Sequence, residues 1–138
     1  MFFKKKSENQ KNYDLIKIAA LLIHTAKIDE NYSIEEETII KQTLVKIRPD
    51  IKDIEQIIIE AKKAEEDSNQ ILNFTKEVKN MKHESKIEII EALWKIIYSN
   101  KEADIYETSL MRRLAGLLYI DSKIMGDIKD KISKKNLK

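Results

Sequence analysis

Residues 26–40 read AKIDENYSIEEETII, an acidic stretch that lies between two apolar segments. Its carboxylates surround one serine, Ser33, and belong to Asp29, Glu30, Glu35, Glu36 and Glu37. Ser33 followed by Glu36 is the pattern of a capping box, in which the serine oxygen accepts from a backbone N–H and the glutamate accepts from the serine N–H. Acidic side chains in a first turn are favoured further by the helix dipole. The stretch therefore predicts a corner between two helices, the second of which begins at residue 34.

Apolar residues recur at helical spacing on both sides of this corner and along the rest of the chain. The pattern predicts seven helices, over residues 12–28, 34–47, 51–65, 68–80, 84–99, 105–118 and 122–133. Residues 18–23 are apolar on every face, so we expect the first helix to be central. Pro49 breaks the chain after the second helix, and Asp50 is predicted to cap the third. The fold class is therefore all-α.

The composition fits one helical domain. The chain has 138 residues, of which 42% are hydrophobic and 36% are charged, enough for one core with a charged surface. With 2 Gly and 1 Pro, strands joined by tight turns are disfavoured. We expect a basic N-terminal tail over residues 1–11, a helical domain over 12–133 and a C-terminal tail over 134–138.

Charge and cysteine content exclude several functions. The net charge of +2 and a pI of about 8.6 give no general attraction to nucleic acid. The chain has no Cys and therefore no disulfide, no thiolate metal site and no cysteine nucleophile. No Gly-x-Ser-x-Gly and no glycine-rich phosphate loop occurs, so we do not expect an enzyme.

The acidic corner has a second copy in the sequence. DENYSIEE at 29–36 aligns with NKEADIYE at 100–107, an offset of 71 residues (107 − 36). The polar pairs that the offset relates are Ser33 with Asp104, Glu36 with Glu107, and Asp50 with Asp121. We therefore expect two pseudo-repeated three-helix units, helices 1–3 and helices 5–7, joined by helix 4. Each unit alone is too small to bury its apolar faces, so the two are expected to share one core.

The two corners carry a resemblance to a known family, whose pattern is a helix, an Asp-Gly-x-hydrophobic-Ser/Asp-x-x-Glu loop and another helix. AKIDENYSIEEE matches the first loop, and YSNKEADIYETSLMRRLAGLL matches the second and continues into helix 6. Over about residues 12–132 the chain resembles the tellurite-resistance protein B (TerB-like) family of bacterial helical domains. Glu30 and Lys101 stand where the family has Gly, and Asn100 replaces the second Asp.

The resemblance implies an all-helical bundle whose acidic loops are candidate cation sites. The candidate ligands for calcium or magnesium are Asp29, Asn31 and Glu36 in the first loop, and Asn100, Glu102 and Glu107 in the second. A hard divalent cation takes six or more oxygens, so backbone carbonyls and water would have to complete each shell. Helix capping is the alternative role for the same acids, with Ser33 and Asp104 as the caps, and one residue can do both.

The remaining candidate residues are predicted to have structural roles. His24, late in helix 1, is predicted to be half-buried and hydrogen-bonded, with Asp29 near enough in sequence to orient it. The aromatic residues expected in the core or at its edge are Trp94, Tyr98, Tyr106 and Tyr119. The opening MFFKKK is not predicted to be a signal peptide, because no apolar stretch of sufficient length follows it.

The resemblance implies a non-enzymatic module with a stress-associated role in the bacterial cytoplasm, with the inner membrane face as one location. We expect it to act through protein partners, with weak divalent-cation binding at the first loop as a second activity. The alternative is a peripheral membrane or anionic-ligand binding protein that uses its basic terminal segments. Those segments contain Lys4, Lys5, Lys6, Lys123, Lys129, Lys131, Lys134, Lys135 and Lys138.

Overall fold

The computed structural model describes residues 8–28, 32–68, 72–99 and 105–136 of the chain. Within these residues the backbone forms seven α-helices and no strand, which confirms the predicted all-α class. The helices are α1 (Glu8–Ala26), α2 (Ile34–Ile47), α3 (Ile54–Glu66), α4 (Leu72–Lys79), α5 (His83–Tyr98), α6 (Ile105–Leu117) and α7 (Ser122–Asn136).

Helix α1 lies at the centre of the fold, as its uninterrupted apolar sequence predicted. Every side chain of residues 18–23 is buried, and none exceeds 2% exposure. The helix packs against α2, α3, α4 and α5. Because neighbours cover it on several sides, this segment has no face on which a charge would remain solvated.

Helix α5 is the second buried element and packs against α1, α2 and α7. Its buried side chains are Ile89, Ile90, Ala92, Leu93, Trp94, Ile96 and Ile97. Full burial of one such aliphatic side chain contributes about 1.5–3 kcal/mol. The core is therefore built around α1 and α5, and the other helices cover these two.

Burial agrees at positions that the offset of 71 residues relates. The pairs and their exposed fractions are Leu22 and Leu93 (0% and 0%), Ile40 and Met111 (0% and 1%), and Ala61 and Ile132 (0% and 1%). Helices α2 and α6 also begin at related positions, Ile34 and Ile105. The pseudo-repeat of the two three-helix units is compatible with this agreement and stays a prediction.

The predicted start of the third helix was wrong, and so was its cap. Helix α3 begins at Ile54, and its N-cap is Asp53, whose carboxylate accepts from the backbone N–H of Gln56 at 3.1 Å. Asp50 pairs instead with Arg48, whose Nε lies 3.3 Å from Asp50 Oδ1. The N–H of Ile51 bonds to the carbonyl of Arg48 in a turn, so the chain leaves that turn before it becomes helical.

The 71-residue offset does not relate the cap of α3 to the cap of α7. Asp121, which it pairs with Asp50, is the residue before α7 and accepts from the backbone N–H of Lys123 at 2.7 Å. The second unit therefore caps its last helix at the predicted position, whereas the first unit does so three residues later, at Asp53.

Of the aromatic residues whose side chains are described, Trp94 and Tyr98 follow the prediction and Tyr119 does not. Trp94 is 2% exposed and stacks on half-buried Tyr98, with 5.9 Å between ring centroids. Tyr119 is 71% exposed and has a φ of 56°, in the left-handed region. It follows the end of α6, where the N–H of Ile120 bonds to the carbonyl of Ala115 and reverses the chain. This reversal turns the tyrosine outward. The side chain of Tyr106 lies outside the described residues.

Candidate functional site

The first acidic corner contains the predicted capping box. Ser33 Oγ accepts from the backbone N–H of Glu36 at 3.1 Å, and Glu36 Oε1 accepts from the backbone N–H of Ser33 at 2.9 Å. Both bonds satisfy donors that the first turn of α2 leaves without an intrahelical partner. The capping role predicted for Ser33 is confirmed. Asp104, the cap predicted for the second corner, lies outside the described residues.

Glu36 is the most deeply buried of the acids that the structure describes at this corner. Its side chain is 1% exposed, and Glu107, its counterpart on α6, is 5% exposed. A buried carboxylate is costly unless hydrogen bonds and favourable dipoles compensate it. For Glu36 the backbone N–H of Ser33 and the positive end of α2 provide part of that compensation.

The next acid, Glu37, joins α2 to α3. Lys62 Nζ lies 2.8 Å from Glu37 Oε1, and the hydroxyl of Tyr32 donates to the same oxygen at 3.2 Å. The hydrogen bond from Lys62 lowers the pKa of Glu37, helped by the charges of Lys62 and Lys41, although burial acts the other way. Burial, followed by the charge of Glu37, raises the pKa of Tyr32. Lys62 also lies over the Tyr32 ring, 5.4 Å from its centroid.

A second ion pair links α2 with α3 beside this one. Lys41 Nζ lies 2.7 Å from Glu55 Oε1 and 3.6 Å from Glu37 Oε2. The hydrogen bond to Glu55 raises the pKa of Lys41. These ion pairs therefore lie along the outer edge between α2 and α3, and their charges neutralise one another.

A third set of contacts joins the end of α1 to the end of α3. Lys27 Nζ lies 2.8 Å from Glu65 Oε2, and this hydrogen bond raises the pKa of Lys27. His24 Nδ1 lies 3.3 Å from Glu65 Oε1. The half-buried, hydrogen-bonded state predicted for His24 is confirmed, and its described partner is Glu65. Asp29, the partner expected from sequence, lies outside the described residues.

Most of the predicted cation ligands fall where the structure is not described. Of the six, Glu36 and Glu107 are described, whereas the others, Asp29, Asn31, Asn100 and Glu102, are not. In the described part of the chain, no group of three or more His, Cys, Asp or Glu side chains is placed to hold a metal ion. The cation site therefore stays a prediction.

The basic C-terminal residues are partly engaged by the fold. Lys131 Nζ lies 3.1 Å from Glu91 Oε1, which joins α7 to α5. Lys129 Nζ lies over the ring of Trp94, 5.5 Å from its centroid. Lys123 and Lys134 are exposed. The positive patch predicted on α7 is therefore reduced by contacts within the protein.

A concave feature of the described part of the chain is a cleft of about 610 Å³, within the range typical of ligand sites. Hereafter it is called the α1/α4 cleft. Its apolar lining consists of Leu15 and Ile18 from α1, Ile47 from α2, and Met81 from the turn before α5. Arg48 Nη1 donates to Asn12 Oδ1 at 3.3 Å and so ties the end of α2 to the start of α1 at one wall.

Charged groups surround this apolar lining. Asp14 comes from α1, Lys76 and Glu77 come from α4, Lys82 precedes α5, and Arg48 and Asp50 follow α2. Arg48 and Asp50 neutralise each other at 3.3 Å. The Oε2 atom of Glu77 is buried and has no hydrogen-bond partner among the described residues. Buried polar atoms of this kind are rare in native proteins.

Sequence reasoning missed both the α3 side chains at the first corner and the cleft. Lys62 and Glu65 lie far from the corner in the chain, and no local pattern connects them with Glu37 or His24. The cleft depends on α4, which the sequence predicts only as the helix that joins the two units. A signal was present in the break between the predicted helices 4 and 5, where Asn80, Met81 and Lys82 provide an amide, an apolar and a basic side chain.

The fold and the site together define a class of protein, an all-helical bundle with an acidic corner that caps its own helix and a cleft lined by apolar and charged residues. The sequence matches the family described as "Tellurite resistance protein TerB" over residues 15–130, and the chain belongs to this family. No curated protein and no solved structure gives a match. Of the helices described above, none combines the length and the apolar character needed to cross a bilayer.

Proposed function

We propose that this chain is a non-enzymatic TerB-family module that binds a segment of a protein partner in the α1/α4 cleft. The observation that carries the proposal is a cleft of about 610 Å³ with both apolar and charged lining residues, one of which, Glu77, has a buried Oε2 atom that lacks a hydrogen-bond partner among the described residues. A bound segment would cover the apolar lining, and a local shift of the Glu77 side chain would let the segment supply the missing N–H or O–H donor. Both contributions favour association.

The charges at the edge of the cleft favour a segment that also carries an acidic group. Lys76 and Lys82 are exposed, and within the described residues neither ammonium group has a carboxylate partner. Complementary charge at such an edge mainly determines specificity and the rate of association. The expected segment therefore presents an apolar side chain, a donor to Glu77 and an acidic residue.

Binding, rather than catalysis, is supported by the residues of the cleft. Ser85 is the only hydroxyl-bearing side chain among the described residues that line it, and none of these residues is a histidine. Nucleophilic catalysis needs a nucleophile with a base within hydrogen-bond reach. The carboxylates that line the cleft belong to Asp14, Asp50 and Glu77, and that of Asp50 is paired with Arg48.

Membership of the TerB family supports a stress-associated role in the bacterial cytoplasm as part of the same proposal. A calcium or magnesium ion at the first corner is the second candidate activity. The burial of Glu36, at 1% exposure, favours it because a buried carboxylate charge is usually paired or bound to a metal ion. A melting-temperature panel with divalent ions tests it. Glu36→Gln keeps the acceptor of the capping box and removes the charge, so an ion-dependent rise in the wild type should shrink in this variant.

Site-specific cross-linking in cells tests the partner proposal, because the chain contains no Cys of its own. A cysteine placed at exposed Asn80 and labelled with a photo-reactive group should yield an adduct of one defined mass. The same label at exposed Glu60, on α3 and outside the cleft lining, is the matched control. The adduct should be lost when Lys76→Glu and Lys82→Glu are added and should survive Lys46→Glu. Identical adducts from both labelled positions, or no adduct from Asn80→Cys, would contradict the proposal.

A further inference from the structure

A second, smaller pocket lies between α5, α6 and α7 and has a volume of about 180 Å³. Hereafter it is called the Trp94 pocket. Trp94, Met111, Ala115 and Met125 form its buried apolar wall. The indole N–H of Trp94 points at Met125 Sδ at 3.3 Å, which fixes the ring. The volume is below the usual range for small-molecule sites and suits a single side chain.

The polar lining of this pocket is entirely neutral or positive. Arg112 and Lys129 supply two cations, and Thr108 and Ser122 supply hydroxyls. No carboxylate is present among the described residues that line it. In the described part of the chain, Arg112 takes part in none of the ion pairs, whereas Lys129 lies over the indole ring.

The predicted 71-residue offset relates this pocket to a place in the first three-helix unit that contains an ion pair. There Lys41 on α2 pairs with Glu55 on α3 at 2.7 Å and with Glu37 on its own helix at 3.6 Å. Adding the 71-residue offset to these three positions gives Arg112, Gly126 and Thr108. All three line the Trp94 pocket. The basic residue is therefore retained in the second unit, and both of its acidic partners are absent.

From this difference we infer that the Trp94 pocket is a binding site for an aspartate or glutamate side chain of a partner protein. The partner's carboxylate takes the place that Glu55 occupies in the first unit and receives hydrogen bonds from Arg112. Its methylene groups pack against the apolar wall. Guanidinium groups bind carboxylates in a fork geometry, which gives the site its preference for this group. The site is separate from the α1/α4 cleft and does not depend on binding there.

Gly126 provides a direct test of the comparison. A Cβ atom added there meets nothing within 4 Å, so a larger residue fits. Gly126→Glu restores the residue type of the first unit and should block the pocket with its own carboxylate. Gly126→Gln has the same size and no charge, and both replacements favour a helix over glycine. The pair therefore separates the effect of charge from those of bulk and helix stability.

The experiment is a titration of the isotope-labelled full chain, followed by amide, arginine and indole N–H resonances. The probes are two capped pentapeptides, Ala-Ala-Glu-Ala-Ala and its glutamine equivalent, and sodium acetate at matched ionic strength. We expect the glutamate peptide to shift the resonances of Arg112, Gly126 and Trp94. Its affinity should fall at least fivefold in Gly126→Glu and in Arg112→Gln, and less than twofold in Gly126→Gln.

Three results would overturn the inference. One is equal binding of the glutamine peptide, and another is wild-type affinity in Gly126→Glu. The third is acetate binding as tightly as the glutamate peptide, which would mark a small-anion site instead of a partner site. Retained cross-linking from Asn80→Cys in the Gly126→Glu background would show that the two sites act independently.

Discussion

The capping box at the first corner gives a prediction about stability, because one substitution removes one of its two hydrogen bonds and leaves the other. Ser33→Ala removes the acceptor of the 3.1 Å bond from the Glu36 N–H, and it leaves the 2.9 Å bond to Glu36 Oε1 in place. Loss of a serine N-cap costs about 1 kcal/mol. Because α2 packs on both central helices, α1 and α5, we expect this cost to appear in the global free energy of unfolding.

A loss of that size should lower the melting temperature by about 3–5 °C in a chain of this length. Urea unfolding, followed by far-ultraviolet circular dichroism and by the fluorescence of Trp94, measures the free energy directly. Ser109→Ala is the matched control, since Ser109 is exposed on α6 and alanine is the better helix former. If Ser33→Ala unfolds at the same urea concentration as Ser109→Ala, the bond does not stabilise the corner and the capping interpretation is wrong.

Four further substitutions test other parts of the structure. Tyr119→Gly removes the strain of a left-handed backbone, about 1 kcal/mol, so the melting temperature should rise. A lower melting temperature would show that the exposed ring stabilises the fold by more than the strain costs. Glu37→Gln should remove stability that is present above the unfolded carboxyl pKa of about 4.3 and is lost as the pH falls through the lower pKa of the folded state. Urea unfolding from pH 7 to pH 3 should therefore show that the wild type loses its stability advantage over Glu37→Gln on acidification. A difference in unfolding free energy that stays constant over this range would exclude the ion pair with Lys62 as its source. Asp53→Ala should cost about 1 kcal/mol as a lost cap, whereas Asp50→Ala should cost less than about 0.5 kcal/mol as an exposed ion pair, and equal losses would contradict the cap assignment.

Local signals were sufficient to predict the elements and the first corner. The start of α2 at Ile34 follows from Ser33 and Glu36, which lie within one turn of each other and need no distant contact. The central place of α1 follows from its apolar run, because such a helix is stable only when covered. The start of α3 could not be predicted in the same way, since Asp50 and Asp53 are both acceptable caps and the turn after Arg48 decides between them.

The contacts between helices could not be predicted from one sequence. The pairing of Lys62 with Glu37 depends on how α2 and α3 approach each other, and many lysines are available for that role. The Trp94 pocket had a visible signal in Gly126, a lone glycine inside a helical pattern. Its meaning emerges only when the ion pair between Lys41 and Glu55 is seen in the other unit.

Amide hydrogen exchange, measured with and without the partner that Asn80→Cys captures, tests partner binding in the α1/α4 cleft most directly. Binding there should slow exchange in residues 12–18, 47–50 and 76–85, which line the cleft or flank it. Exchange in α3, which contributes no residue to the lining, should stay unchanged. Protection confined to α3, or none in those three segments at saturating partner, would place the interaction elsewhere on the bundle.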